Sequence, residues 1–329
     1  MRGAALAAVL ALAALLPGCG ADAQQASAAS VRARVQAGEE VRLGGGIVVR
    51  RYGFRHGGGE VEAVLTLPVG AGPHPGIVLI PGYSRTAYDM LPVAVAMARA
   101  GFATMAVSQP GFGGSTGPAD FVGPRTFAAL LAATERFAAE PFVDRTRLGV
   151  YGYSRGGLAA AQLASRTDLF RAAVFGGGIY DFAAAYEEVP LGIRASMIAE
   201  AGNSDEAIRF RSPNHDMAGL DGPVLIVHGE ADANAPPEQA RALARRLTEL
   251  GRAHELLLVP AGEHALGASQ IVPPAIAFFR RHLSRTPSGT GSIRGSGSPR
   301  HPGEGRDLSE NRHGPTSRAP STNGGNLSS

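Results

Sequence analysis

RLGVYGYSRGGLAAAQLA, residues Arg147–Ala164, decides how this chain is read. Leu148 to Tyr151 is a short apolar run of strand type. Gly152-Tyr153-Ser154-Arg155-Gly156 is a sharp glycine-flanked turn, and a small-residue helical segment follows at once. A strand that turns straight into a helix lifts the turn residue onto the strand's end, where the helix's first N–H groups face it. The positions two before and two after Ser154 must be small, because the turn needs strained backbone angles in little space. A bare G-x-S-x-G is a frequent chance match. Its place between a strand and a helix makes Ser154 a candidate nucleophile.

Outward from this turn, short apolar strands alternate with helical periods. Pro75–Ile80, Phe102–Val107, Ala172–Phe175, Pro223–His228 and Glu255–Val259 are strand-like. Leu91–Ala100, Thr126–Ala139, Gly156–Ser165, Pro237–Leu250 and Ile271–His282 are helical. Gly46–Phe54 and Val61–Leu67 flank the turn His56–Gly59 and predict an antiparallel edge hairpin. The alternation predicts an α/β fold: a mostly parallel central sheet of about eight strands, with helices on both faces. Functional residues should then lie in loops beyond the strands' C-terminal ends.

A serine nucleophile needs a base, and the base an orienting acid. Asp232 follows the strand Pro223–His228, and His264 follows Glu255–Val259 in a glycine-containing loop. The chain order Ser154, Asp232, His264 is one of the known triad orders. Glu230 competes with Asp232 for the acid role, being nearer the strand end. His228 reads as a buried hydrogen-bonding residue. An oxyanion hole needs two inward backbone N–H groups. Arg155, directly after the serine, is one candidate. Tyr83, in the Pro81-Gly82-Tyr83 loop after Pro75–Ile80, is the other, although its ring could instead pack over the pocket. The expected chemistry is acyl transfer to water, with no cofactor and no metal. Gly111-Phe112-Gly113-Gly114-Ser115 lacks a phosphate-loop lysine and reads as a tight loop at the site's rim.

The ends differ from the middle. Arg2 and the apolar run Ala4–Leu16 form a signal-like segment over 1–18, too short to span a bilayer. Leu16-Pro17-Gly18-Cys19 resembles a bacterial lipobox. Cys19 is then expected to carry a lipid that holds the chain at a membrane surface of the bacterial cell envelope; plain secretion is the alternative. Residues 19–43 are small or polar and are expected to be a flexible tether. The tail 285–329 has almost no large apolar residues and is expected to be disordered. It carries six arginines against three acids, so the whole chain's net charge of +3 resides there. Everything before the tail sums to zero charge and shows no basic patch with interleaved aromatics, which argues against nucleic-acid binding.

HPGIVLIPG, GFATMAVSQPGFGGSTG, RLGVYGYSRGG, SPNHDMAGLDGPVLIVHGEADANAPPEQA and VPAGEH occur in this order from His74 to His264. Together they make the chain resemble the alpha/beta hydrolases, in particular the prolyl oligopeptidase catalytic domain and dienelactone-hydrolase-like esterases. The resemblance puts the family's nucleophile on Ser154, its acid on Asp232 and its base on His264. It departs in two places: Pro81-Gly82 stands where many members have His-Gly, and Ala235 replaces a larger apolar residue. Oligopeptidase members carry a large propeller ahead of the catalytic domain, and the stretch before the first expected strands here is short. A carboxylesterase acting on small or medium acyl esters is therefore expected. A peptidase of the oligopeptidase type is the alternative, followed by a thioesterase or acyltransferase, or an inactive binding module. Residues 178–211 are the expected cap. Tyr180, Phe182, Tyr186, Leu191, Ile193 and Met197 there suit either an acyl pocket or ordinary packing. Glu187-Glu188 is an adjacent acid pair in it, the sort of anchor a peptidase needs.

Overall fold

The structure is a computed structural model and describes residues 28–284. The signal-like segment, Cys19 and the tail from 285 lie outside the described residues. In chain order the elements are helix α1 (Ala28–Gln36), strands β1 (Val41–Arg42), β2 (Val48–His56), β3 (Gly59–Leu67) and β4 (His74–Ile80), and helix α2 (Leu91–Arg99). Then come β5 (Ala103–Val107), α3 (Pro124–Ala138), β6 (Val143–Tyr153), α4 (Arg155–Arg166) and β7 (Ala172–Gly176). An insertion of α5 (Phe182–Glu188), α6 (Leu191–Ala201) and α7 (Asp205–Phe210) follows. The chain closes with β8 (Val224–Gly229), α8 (Glu238–Glu249), β9 (His254–Val259) and α9 (Ala268–Leu283).

These strands form one nine-stranded sheet in the order β1-β2-β3-β5-β4-β6-β7-β8-β9. The first three strands and the β3–β5 pair run antiparallel, and every pair from β5 to β9 is parallel. The β2–β3 hairpin closes through Gly57 and Gly58, at φ 58° and 80°. Positive φ at both central residues suits the right-handed strand twist, and glycine adopts it without penalty. This is the alpha/beta hydrolase fold. The ninth strand, beyond the expected eight, is the two-residue β1, which takes the outer edge that the hairpin was expected to hold.

The continuous apolar runs of the parallel strands serve two faces at once. Val78 and Ile80 of β4, Phe175 of β7 and Ile226 of β8 pack with α3, α4 and α8 on one face. Ile77 and Leu79, Val174, and Leu225 and Val227 pack with α1, α2 and α9 on the other. Helix α4 is buried from Arg155 to Ser165. Each fully buried leucine on it, such as Leu158 or Leu163, contributes about 1.5–3 kcal/mol.

The expected tether is corrected from residue 28 onward. Val31 and Val35 of α1 and Val41 of β1 are buried against the α2 face, and Arg32 donates to Asp89 at 2.9 Å. Three valines among small residues suffice, because the sheet supplies the rest of the apolar surface. The domain thus begins before Gly44.

Candidate active site

Ser154 lies between β6 and α4 at φ 56°, ψ −124°, a conformation rare for a side-chain-bearing residue. Packing enforces it. A Cβ on Gly152 would overlap the carbonyl of Gly156, and a Cβ on Gly156 would overlap the carbonyl of Ile80. The Ser154 N–H donates to Gly176 O at 2.8 Å, which ties the turn to β7. β6 is central in the sheet, so the serine stands mid-edge with neighbouring loops on either side.

Those loops bring the other two residues to it. Ser154 Oγ is 2.8 Å from His264 Nε2, and His264 Nδ1 is 2.8 Å from Asp232 Oδ2. With a proton on Nδ1 donated to the carboxylate, Nε2 is left free to accept the serine hydroxyl proton. Asp232 is buried, and its Oδ1 accepts the N–H groups of Asn234 and Ala235, each at 2.9 Å. Burial alone would raise its pKa. Hydrogen bonds from His228, His264 and the Ala235 N–H outweigh burial and hold the carboxyl below its ordinary range. Glu230, the competing acid, instead faces Arg241 at 3.7 Å. His228 is fully buried, with Nε2 2.7 Å from Ala235 O and 3.4 Å from Asp232 Oδ2.

Tyr153 is a participant that sequence reading passed over. Its hydroxyl donates to the backbone carbonyl of His264 at 2.7 Å. Burial pushes the phenol up to about 12, partly opposed by a backbone hydrogen bond from Leu266 and reinforced by the charge of Asp232. The ring fits because residues 176 and 177 are glycines: a Cβ on Gly177 would lie 3.0 Å from the hydroxyl. The residue beside Ser154 therefore grips the loop that bears His264. Tyr153→Phe removes one hydrogen bond worth about 0.5–1.5 kcal/mol and is expected to lower kcat by about five- to tenfold. Steady-state kinetics should show KM nearly unchanged; an unchanged kcat would deny the grip.

The Pro81-Gly82-Tyr83 loop passes directly beside the serine. A Cβ on Gly82 would lie 3.3 Å from Ser154 Cβ. Arg155 is the first residue of α4, so its N–H has no acceptor within its own helix. These placements bring the Tyr83 and Arg155 main chains to the serine. The side chains of the two residues also meet: the Arg155 guanidinium lies 4.5 Å from the Tyr83 ring centroid.

Arg155 is buried, and Glu200 of α6 receives both its terminal nitrogens, at 2.7 and 3.0 Å. Removing one partner of such a buried pair costs about 3–5 kcal/mol. The glycine-rich loop lies at the rim as expected. Phe112 meets the Tyr83 ring edge-on at 5.7 Å. Beneath it, Ser108 Oγ donates to buried Glu62 at 2.7 Å, and the Glu62 N–H donates to Ser115 Oγ at 2.9 Å.

A cavity of about 790 Å³ opens over Ser154 and His264, walled by Met90, Val93, Ile179 and Ile193 among others. Of the six apolar cap residues expected to suit either role, Ile193 lines this cavity. Tyr180, Phe182 and Met197 are buried in the core, whereas Leu191 is 78% exposed. Glu188 accepts a hydrogen bond from Gln239 at 2.9 Å, and neither acid of the Glu187-Glu188 pair lines the cavity. Among the described residues there is no group of three or more His, Cys, Asp or Glu that could hold a metal ion.

A family model described as the prolyl oligopeptidase family (Peptidase_S9) matches residues 120–286. A Bacillus subtilis (strain 168) protein described as "Uncharacterized peptidase YuxL" is 27% identical over 217 residues, which is 63% of this chain and 32% of that one. "Esterase YjfP" of Escherichia coli (strain K12) is 25% identical over 240 residues, 68% of this chain and 96% of that one. Among solved structures, an acylaminoacyl peptidase in complex with Z-Gly-Gly-Phe-chloromethyl ketone superposes with a TM-score of 0.64 at 22% identity. That match covers 74% of this chain and 43% of the other. The chain thus spans about a third of one peptidase relative's length and nearly all of the esterase's.

Proposed function

Because the chain belongs to the prolyl oligopeptidase family and is a serine hydrolase, we propose that it cleaves carboxylic esters of small or medium acyl groups through an acyl-enzyme. In this reading Ser154 Oγ attacks the carbonyl carbon while His264 Nε2 takes its proton. The Tyr83 and Arg155 N–H groups receive the oxyanion, and Asp232 stabilises the imidazolium. His264 returns the proton to the leaving alkoxide as the C–O bond breaks. It then takes a proton from water, whose oxygen attacks the acyl carbon and releases the acid and free Ser154.

One observation carries the ester preference. Among the described residues, the single carboxylate lining the cavity, Asp89, is already held by Arg32 at 2.9 Å and by the Thr86 N–H at 2.7 Å. No lining acid is thus left to receive a substrate ammonium group, and the remaining walls are largely apolar. A neutral acyl half fits this cavity better than a free amino terminus.

The same observation is compatible with a second reading, cleavage of peptides whose amino end is blocked. The relatives named as peptidases and the acylaminoacyl peptidase neighbour favour that reading. A panel of p-nitrophenyl esters, aminoacyl p-nitroanilides and N-acyl-aminoacyl p-nitroanilides separates them. Ester kcat/KM is expected to exceed that for free aminoacyl anilides by roughly tenfold or more. Faster turnover of the N-acyl anilides than of the esters would replace the first reading with the second.

A further inference from the structure

We propose that Glu200, near the end of cap helix α6, is a positioning residue for the two oxyanion donors, so that the cap is a working part of the oxyanion hole. This rests on the serine-hydrolase roles proposed above. Arg155 and Tyr83 donate through their main chains, and their side chains determine where those main chains sit. The Arg155 guanidinium lies between rings, 4.5 Å from the centroid of Tyr83, 4.1 Å from Phe121 and 5.6 Å from Phe112. A cation held against aromatic faces this closely gains from their quadrupoles, and its direction is fixed by where its hydrogens are received. Both its terminal nitrogens go to Glu200.

Glu200 has a second task. Its Oε2 also accepts the backbone N–H of Phe121 at 3.1 Å. Phe121 and Val122 stand in left-handed backbone, at φ 43° and 57°. A β-branched residue rarely adopts that conformation, and it persists only where surrounding groups impose it. Arg211, just beyond α7, supplies the opposing grip. It is buried, with Nε donating to Phe121 O at 2.9 Å and Nη2 to Asp120 O at 2.6 Å. Glu200 and Arg211 of the cap therefore hold residues 120 and 121 between them, and this clamp seats the Phe121 ring on Arg155. One carboxylate sets both the guanidinium and the ring that backs it, and through Arg155 the stack on Tyr83. A pair serving only to fasten the cap would not need the N–H of a strained residue.

Oxyanion donors must lie within a few tenths of an ångström of their place, so loosening this stack should act on the transition state and not on substrate binding. The test compares the unsubstituted chain with Glu200→Gln and with the double variant Arg155→Met, Glu200→Met. The double variant keeps both backbone N–H groups and leaves no lone buried charge, so it should fold. Readouts are p-nitrophenyl acetate kinetics and affinity for an aryl trifluoromethyl ketone, whose serine adduct bears an oxyanion. Both variants are expected to lose about ten- to a hundredfold in kcat, less than the roughly 10²–10³ that follows loss of a donor outright. KM should stay within about twofold, and ketone affinity should fall by the same factor as kcat/KM. A folded double variant with the parent's kcat and ketone affinity overturns the inference, as does a loss confined to KM. An unsubstituted chain that neither hydrolyses the ester nor binds the ketone overturns the hydrolase reading, and this inference with it.

Discussion

Ser154→Ala is expected to lower kcat on p-nitrophenyl esters by about 10⁶-fold, which is about 8 kcal/mol of transition-state stabilisation. The size follows from the arrangement as a unit. Ser154 Oγ, His264 Nε2, His264 Nδ1 and Asp232 Oδ2 are linked by two hydrogen bonds of 2.8 Å each. Without the hydroxyl, the histidine has no proton to take and the carboxylate no imidazolium to stabilise. His264→Ala should therefore cost nearly as much as Ser154→Ala, and the double variant little more than either. Residual turnover would come from oxyanion donors acting on water attack. A fluorophosphonate probe should label the parent and fail to label Ser154→Ala. Labelling that survives the substitution would remove Ser154 from the chemistry.

Gly152→Ala is expected to be the most damaging single methyl group in the protein. The new carbon would overlap the carbonyl of Gly156, one turn further on, and that turn cannot retreat because Gly156 itself is pressed against the carbonyl of Ile80. Strand, turn and neighbouring strand are in backbone contact here, so no rotamer change relieves the clash. Losses above about 4 kcal/mol are exceptional for one substitution and are expected here. The thermal midpoint should drop by about 10 °C or more, or the chain should fail to accumulate as soluble protein. Gly44→Ala, with open space around it and no positive φ, is the control. A Gly152→Ala protein melting within a few degrees of the parent would show that the elbow is looser than its contacts imply.

Much of this was legible in the sequence, for identifiable reasons. The parallel strands are buried on both faces, so they had to be written as unbroken apolar runs. The serine turn needs glycines that nothing larger can replace. The histidine and its acid follow strands whose ends the fold brings together. What escaped reading lacked a local signal. α1 and β1 anchor through Val31, Val35 and Val41, too few to stand out among small polar neighbours. α9 starts at Ala268, ahead of the expected Ile271, because its first residues, Ala268-Ser269-Gln270, include no large apolar side chain to mark them. Glu200, Arg211 and Phe121 act through contacts between distant segments, and no spacing rule connects them to Arg155. Tyr153 was in plain view beside the serine, yet its partner is a main-chain carbonyl, which a sequence does not display.

The insertion between β7 and β8 is one continuous stretch of chain, entering and leaving on neighbouring strands of the sheet. A segment so placed can be exchanged as a cassette without rethreading the domain, while the hydrolytic machinery stays on the loops outside it. The exchange has one compatibility requirement: whatever replaces residues 182–211 must present a carboxylate to Arg155 and a cation to the carbonyls of residues 120 and 121. Substrate repertoire in this architecture can therefore diversify through a socket with two charged pins, leaving the rest of the cap free to drift.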